Sequence, residues 1–119
     1  MQDRTIADEK LELSPEVVLD DGLRIKVDGS LVLGRNPLAP DAYPDARSVR
    51  VTDESMRLSK THMVLRPVDG HVQVIDVGAT NGVYIEVDRE RTRIPTHEPW
   101  QLSTGDLVHF GGRTLRLVP

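Results

Sequence analysis

Hydrophobic and polar residues alternate in short runs along most of the chain. Leu23–Val27 places apolar side chains at every second position with basic residues between them, and His71–Asp76 and Val83–Val87 follow the same rule. Such alternation over four to eight residues is typical of strands that bury one face. The sequence shows no helical periodicity. The pattern therefore predicts an all-β fold.

Turn-forming dipeptides separate these runs at regular intervals. Asp-Gly pairs stand at 21–22, 28–29 and 69–70, and Asn81-Gly82 and Gly111-Gly112 follow later. Such pairs favour the positive φ angles of tight hairpin turns. Pro95 and Pro99 predict a loop around Trp100. Further strands are predicted at Val17–Leu19, Leu31–Leu33, Ser48–Val51, Met63–Val68, Asp106–Phe110 and Arg113–Leu117.

About ten or eleven short, mostly antiparallel strands at this spacing predict a β-sandwich. Residues 1–16 are polar and acidic and end near Ser14-Pro15, which predicts a flexible tail or linker. The sandwich is expected to occupy residues 17–119. Three prolines between Pro37 and Arg47 exclude a central strand there and predict a long surface loop.

Composition narrows the class of protein. The absence of cysteine excludes a disulfide framework and a thiolate zinc site. No apolar run approaches the ~20 residues of a membrane span, and no signal peptide opens the chain. The histidines lack metal-ligand spacing. We therefore expect no metal, no cofactor and no direct membrane insertion, and a cytoplasmic location.

The net charge of −4 argues against a nucleic-acid partner. The charge is unevenly distributed, however, because residues 34–66 carry +2 and the remainder carries −6. The basic surplus coincides with the stretch Arg57-Leu58-Ser59-Lys60-Thr61-His62, which offers hydroxyl, ammonium and guanidinium donors. Gly34-Arg35 and Thr80-Asn81-Gly82 are two further donor-rich segments beside predicted strands. Together the three segments predict one anion site at one edge of the fold.

The order and intervals of these segments resemble the forkhead-associated (FHA) domain, a phosphothreonine-peptide-binding β-sandwich. The resemblance rests on Gly34-Arg35, on Ser59-Lys60-Thr61-His62 and on Thr80-Asn81-Gly82, and it covers roughly Val17 to Val118. It implies a phosphothreonine-containing protein or peptide as partner, with an upstream Ser/Thr protein kinase. It also implies an interaction module within a larger or multidomain protein.

The resemblance assigns the phosphate to Arg35, Ser59 and Lys60. Arg35 offers a planar fork of donors, and Ser59 offers its hydroxyl and its backbone N–H. Lys60 could add a charge contact. Each residue also has an ordinary interpretation, as a surface arginine at a strand end, a turn serine that caps local backbone and a solvated loop lysine.

Further roles follow from the same resemblance. Thr80 would help hold the phosphothreonine, and Asn81 would hydrogen-bond the main chain of the ligand. Arg57 would favour an acidic residue at the third position after the phosphothreonine. Asn81-Gly82 is equally consistent with a hairpin turn.

Three residues are expected to support the site without contacting the ligand: Gly34, His62 and Gly82. His62 beside a serine suggests a nucleophile and its base, but no third group is evident to orient it. The resemblance implies instead that His62 is buried and braces the loops through hydrogen bonds. The segment Pro37–Arg47 is longer than the connection usual in the family, and it could widen, cover or reshape the peptide groove.

Two functional classes remain open at the level of sequence. The first is a phosphothreonine-dependent interaction module in Ser/Thr-kinase signalling. The second is a phospho-independent scaffolding β-sandwich with a degenerate phosphate site. No catalytic residues are expected, because the chain has no phosphate loop before a helix and no paired carboxylates. Finally, Thr5-Ile6-Ala7-Asp8 matches the expected ligand pattern, so a phosphorylated Thr5 could be a self-ligand.

Overall fold

The computed structural model describes residues 14–119, which form eleven strands and no helix. The expected all-β sandwich is thereby confirmed. The strands are β1 Glu16–Leu19, β2 Arg24–Lys26, β3 Leu31–Gly34, β4 Arg47–Arg50, β5 Met63–Val68, β6 His71–Asp76, β7 Val83–Val87, β8 Glu90–Arg93, β9 Trp100–Leu102, β10 Leu107–Phe110 and β11 Arg113–Leu117.

Two sheets pack face to face. The six-stranded sheet has the order β2-β1-β11-β10-β7-β8, and the five-stranded sheet has the order β4-β3-β5-β6-β9. All pairs are antiparallel except β3 with β4, which run parallel. The parallel pair requires a long crossover, and residues 35–46 supply it.

The core between the sheets is aliphatic except for Phe110. Alternate residues such as Val17, Ile85 and Leu115 point inward and are almost completely buried. The neighbours of Ile85 and Leu115 point outward and are polar or charged, as expected for strands with one solvent-exposed face. This alternation is the reason that most of the strands could be predicted from the sequence.

The proline-rich loop builds a second, smaller core on the outer face of the five-stranded sheet. Ala46 is buried there against Val32, Val64 and Ile75, and Tyr43 packs at its edge. The first part of the loop adjoins the candidate anion loops, because the Leu38 N–H donates to Thr61 Oγ1 at 3.1 Å. The structure thus places the later part of the loop over a sheet face.

Turn chemistry was only partly informative. Asp69-Gly70 closes the β5–β6 hairpin with φ values of 50° and 79°, as its sequence predicts. The prediction of a hairpin at Asp28-Gly29 was wrong, because β2 and β3 lie in different sheets. For the same reason Asn81-Gly82 is not a hairpin turn, since it links β6 in one sheet to β7 in the other.

Two strands were missed in the sequence. β8 is exposed at all four positions, so it carries no alternation, and its hairpin turn uses Asp88-Arg89 at positive φ without a glycine. The region around Trp100 was predicted to be a loop, but Trp100–Leu102 forms β9 and pairs with β6. The flanking prolines lie outside the three paired residues.

Candidate functional site

The strand register brings the three donor-rich segments to one edge of the five-stranded sheet. Leu33 pairs with Met63, and Met63 pairs with Asp76, so the end of β3, the start of β5 and the end of β6 lie side by side. The segments 34–36, 57–62 and 77–82 leave the sheet at this edge. The prediction of one shared edge follows from antiparallel pairing across three consecutive strands.

Gly34 allows the first two segments to approach closely. A Cβ atom at this position would overlap the Lys60 carbonyl group and lie 3.1 Å from the Ser59 oxygen. The approach is held by backbone hydrogen bonds from Arg35 N to Ser59 O, at 3.0 Å, and from Asn36 N to Lys60 O, at 3.1 Å. Any side chain at position 34 would push the serine-containing loop away from Arg35.

His62 ties the second segment to the third from inside the protein. The ring is completely buried, its Nδ1 accepts from the Ser59 N–H at 3.0 Å, and its Nε2 donates to the Gly82 carbonyl at 2.8 Å. An amide N–H can only donate and a carbonyl can only accept, so the tautomer is fixed as Nε2–H. Burial lowers the pKa of His62, against the opposing hydrogen bond to Gly82 and the charges of Asp76 and Asp53, which favours the neutral ring.

The expected role of the Ser59 backbone has to be corrected. Its N–H was predicted to donate to phosphate, but it is already used by His62. The Ser59 hydroxyl oxygen accepts from the Thr80 N–H at 3.1 Å, which leaves the hydroxyl proton free to donate outward. Ser59 therefore links both neighbouring loops and offers one donor rather than two.

Asn81 makes a further tie between the second and third segments. Its side-chain nitrogen donates to the Arg57 carbonyl at 2.8 Å, and the residue is exposed. One amide proton and the amide oxygen remain directed to no protein partner among residues 14–119. Asn81 thus orients the Arg57 loop while keeping a donor and an acceptor at the surface.

Two aspartates that sequence reasoning missed fix these loops. Asp76 is completely buried at the end of β6, and its Oδ1 accepts from the Gly78 and Ala79 N–H groups, both at 2.9 Å. It thereby shapes the turn that presents Thr80 and Asn81. The signal available in the sequence was an aspartate followed two residues later by glycine, which is typical of an Asx turn.

Asp53 anchors the Arg57 loop to the β10–β11 hairpin. Its carboxylate accepts from Ser55, from the Arg57 N–H at 3.1 Å and from the Gly112 N–H at 2.8 Å. Partial burial acts to raise its pKa, but the hydrogen bonds from Ser55, Gly112 and Arg57 prevail and lower the pKa of Asp53 to about 2. Gly111 lies so close to Leu58 that a Cβ atom would come within 2.8 Å of its backbone.

Three cationic side chains surround these ties: Arg35, Arg57 and Lys60. All three are exposed, and none forms an ion pair with another residue in the described part of the chain. The Arg57 Nε donates to Ser55 Oγ at 3.2 Å, so its guanidinium is held in place through that edge. The result is a cationic surface over a rigid, hydrogen-bonded base.

The remaining sequence predictions fall elsewhere. Thr5 lies outside the described residues. Within residues 14–119 no three His, Cys, Asp or Glu side chains come together as a potential metal site. Among the same residues, no helix is long and apolar enough to cross a membrane. His71 and His97 are exposed, whereas His109 is partly buried and bonded to Glu86 at 2.9 Å.

Comparison with family models identifies one family, and solved structures show the same fold. The family model described as the FHA domain matches residues 31–111. The chain is similar to the crystal structure of the FHA domain of CT664 from Chlamydia trachomatis, with a TM-score of 0.65 and 23% identity over 87% of this chain and 97% of that one. Comparison with curated proteins gave no match.

Two further solved structures show the same fold. The FhaA FHA domain, complexed with the intracellular domain of Rv3910, aligns with a TM-score of 0.64 and 24% identity over 88% of this chain and all of that one. A structure from a study of phosphothreonine-dependent FHA domain interactions aligns with a TM-score of 0.60 and 24% identity, covering 89% of this chain and 98% of that one.

Proposed function

Because this chain belongs to the FHA domain family, whose members are phosphothreonine-peptide-binding interaction modules, we propose that it captures a phosphothreonine segment of a partner protein. The observation that carries the proposal is the exposed set Arg35, Lys60 and Arg57, which has no ion-pair partner within residues 14–119 and surrounds loops tied together by His62 and Asn81. Ties of this kind, one buried at His62 and one at the surface at Asn81, hold the donors in place before the ligand arrives. Less ordering is then required on binding.

The chemistry of a phosphate matches this surface. A phosphothreonine carries about −1.5 to −2 charges and three strong acceptor oxygens. Arg35 presents a planar fork of donors, Lys60 presents a compact charge, and the Ser59 hydroxyl supplies one uncharged donor. Thr80 and Asn81 lie next to Ser59, where they would contact the phosphothreonine and the adjoining main chain of the ligand.

Partner and context follow from the ligand. Phosphothreonine is made by a Ser/Thr protein kinase, so we propose that the chain works downstream of such a kinase in signalling, in the cytoplasm. It would do so as one module of a larger or multidomain protein. The role is binding rather than catalysis, as is general for FHA domains.

A fluorescence anisotropy titration tests the proposal. Matched peptides carrying phosphothreonine, phosphoserine or unmodified threonine would be titrated with the chain and with Arg35→Ala and Ser59→Ala. Loss of a hydrogen bond to a charged group costs ~1.5–3 kcal/mol, which is roughly tenfold or more in affinity. Both variants should weaken binding of the phosphothreonine peptide by that factor and keep the fold. Arg35→Ala should leave the unfolding transition unchanged, whereas Ser59→Ala also loses the hydrogen bond from the Thr80 N–H and should unfold at a slightly lower temperature.

Arg47→Ala is the matched control. Arg47 is an exposed arginine of β4 that pairs with Leu31, at the end of β3 remote from Gly34. Its loss removes the same charge at a distance of roughly 10 Å along the strand, so affinity should change little. Equal binding of phosphorylated and unmodified peptides would contradict the proposal and favour the phospho-independent scaffold instead.

A further inference from the structure

A cleft opens along one side of the sandwich, between β8 and β9. These two strands are the last strands of their respective sheets. The cleft has a volume of about 320 Å³, and six residues line it: Ile85, Val87, Asp88, Glu90, Thr92 and Trp100. None of the six belongs to the segments 34–36, 57–62 and 77–82, so the cleft is a surface separate from the candidate phosphate site.

The floor of the cleft is apolar. Ile85 and Val87 lie on the same face of β7 because they are two residues apart. Ile85 is buried, whereas 44% of Val87 is exposed. Trp100 approaches from β9 and packs partly buried against the core. The floor therefore offers apolar surface that a ligand would remove from water.

The rim of the cleft is acidic. Glu90 pairs with Val87 across the β7–β8 hairpin, so its side chain lies on the same face as the floor. Asp88 stands in the turn of that hairpin and also lines the cleft. Both residues are exposed, and within residues 14–119 neither carboxylate forms an ion pair. The rim thus carries two negative charges without a cation.

The arginines of β8 do not neutralise this rim, because they lie on the opposite face of the strand. Arg91 pairs with Glu86 and donates to its carboxylate at 3.2 Å. Arg93 lies over the ring of Tyr84, with 6.0 Å between the guanidinium carbon and the ring centre. Since successive side chains of a strand alternate between faces, the side of β8 that faces the cleft keeps its negative charge.

The backbone of β8 also has a free edge. The strand pairs with β7 on one side and is the last strand of its sheet on the other. An edge of this kind can pair with an extended segment of another chain. Every second side chain of such a segment would then enter the cleft beside Glu90.

We propose that the cleft docks an extended segment of a partner protein through an arginine or lysine side chain. The aliphatic stem of that side chain covers Val87 and Trp100, and its cationic head lies between the carboxylates of Asp88 and Glu90. The charge of the rim selects a basic segment over an acidic or purely apolar one. The inference does not rest on the proposed function, because it uses no residue of the candidate phosphate site.

The test uses peptides that carry no phosphate. Threonine-rich peptides of nine residues, with arginine, glutamine or glutamate at the central position, are titrated into the chain. Trp100 is the only tryptophan of the chain, so a change in its fluorescence reports that the cleft is occupied. Each exposed ion pair contributes roughly twofold to fivefold in affinity. We therefore expect the arginine peptide to bind roughly threefold to tenfold more tightly than the glutamine peptide, and the glutamate peptide to bind most weakly.

Asp88→Asn and Glu90→Gln each remove one charge with little change of shape. Asparagine tolerates the φ of 50° that Asp88 adopts, so the turn is kept. Each variant should weaken binding of the arginine peptide roughly twofold to fivefold and leave the affinity for a phosphothreonine peptide unchanged. Asp69→Asn is the matched control, because Asp69 is exposed in a hairpin turn with the same φ of 50° but does not line the cleft.

Four outcomes would overturn the inference and leave phosphothreonine binding standing. In the first, the arginine peptide binds no better than the glutamine peptide. In the second, it binds without a change in Trp100 fluorescence, which would place it elsewhere. In the third, Asp69→Asn weakens it as much as Asp88→Asn does, which would mean general attraction to an acidic chain. In the fourth, sedimentation shows self-association that Glu90→Gln abolishes, which would assign the cleft to a second copy of the chain.

Discussion

Replacing His62 should disable the site by loosening the hydrogen bonds that hold its loops together, and not by removing a contact to the ligand. In the native chain the ring joins Ser59 to Gly82 across two loops, with hydrogen bonds of 3.0 and 2.8 Å. His62→Ala leaves an interior N–H and an interior carbonyl without partners. It also opens a cavity beside Phe110, whose ring centre lies 6.1 Å from that of His62.

The expected cost is large for a single substitution. Each unsatisfied buried group costs about 1–3 kcal/mol, and the cavity adds to this. We therefore expect the free energy of unfolding to fall by about 3 kcal/mol or more. At about 4 °C per kcal/mol for a domain of this size, the melting temperature should drop by more than about 10 °C.

Matched variants separate the two hydrogen bonds. The amide oxygen of His62→Asn lies roughly where Nδ1 does and can still accept from Ser59. The amide nitrogen of His62→Gln lies roughly where Nε2 does and can still donate to Gly82. Both variants should be less destabilised than His62→Phe, which fills the space and makes neither bond. Circular dichroism melts and urea unfolding measure stability, and peptide anisotropy measures affinity on the same samples.

The neutral ring also predicts a pH dependence. Burial lowers the pKa of His62 in the folded chain, whereas the ring titrates near its ordinary value of 6.5 when unfolded. Its contribution to stability is therefore complete above about pH 6.5 and declines as the pH falls below that value toward the lowered pKa. The slope cannot exceed about 1.4 kcal/mol per pH unit for one proton, and it should be missing from His62→Phe.

Either of two results would refute this reasoning. A His62→Ala chain that loses peptide binding with an unchanged melting temperature would mean that the ring contacts the ligand directly. A His62→Ala chain that melts at a lower temperature but binds the peptide with unchanged affinity would mean that the hydrogen bonds of His62 do not control the site.

Four further predictions follow from the same geometry. Gly34→Ala should displace the serine-containing loop and weaken peptide binding at least tenfold, whereas Gly29→Ala, whose added Cβ meets nothing within 4 Å, should leave anisotropy titrations unchanged. Because the pKa of Asp53 is lowered to about 2, its contribution to stability is lost as the pH falls from about 4 to about 2, and Asp53→Asn should not show this loss. If urea unfolding shows the same loss of stability over this pH range in the variant, the loop does not depend on this carboxylate. Arg57→Ala should abolish a salt-sensitive preference for Asp or Glu at the third residue after the phosphothreonine, and an unchanged peptide-array profile would remove that assignment. Phosphorylation of Thr5 should reduce affinity for external phosphothreonine peptides or create a dimer by sedimentation, because a tethered ligand competes at up to roughly millimolar effective concentration; undiminished affinity without a dimer would exclude it.

The sequence predicts those parts of the fold that have a local cause. β7 alternates because one face is buried and the other faces solvent, and the first four residues of β6 do the same, so the pattern survives in the sequence. β8 has no buried face and its turn at Asp88-Arg89 lacks glycine, so neither local signal was present. Asp28-Gly29 carries the right turn chemistry, but a sheet change depends on where the next strand finds a partner, which no dipeptide encodes.

The site shows the same division. The residue types at 35, 59 and 81 point to an anion and to a family, but their connections depend on tertiary contacts. Nothing local indicates that the Ser59 N–H is consumed by His62, or that Gly112 donates to Asp53 across 59 residues of chain. The donors available to a ligand could therefore be counted only once the loops were seen together.

The pairing of the first and last strands determines where any protein joined to this sandwich would lie. Val118 N donates to Glu16 O at 2.8 Å, so both ends of the sandwich leave from one place. β11 starts at Arg113, beside the candidate binding loops, and runs roughly 13 Å away from them to Leu117. Protein joined at either end therefore sits behind the module, with its binding face pointing outward. The length of the connecting segment then decides whether the sandwich binds a segment of its own chain or a segment of another protein. A segment such as the one carrying Thr5, with an extended reach of about 40 Å, must extend along the full length of β11 before it can compete with an external peptide for the loops.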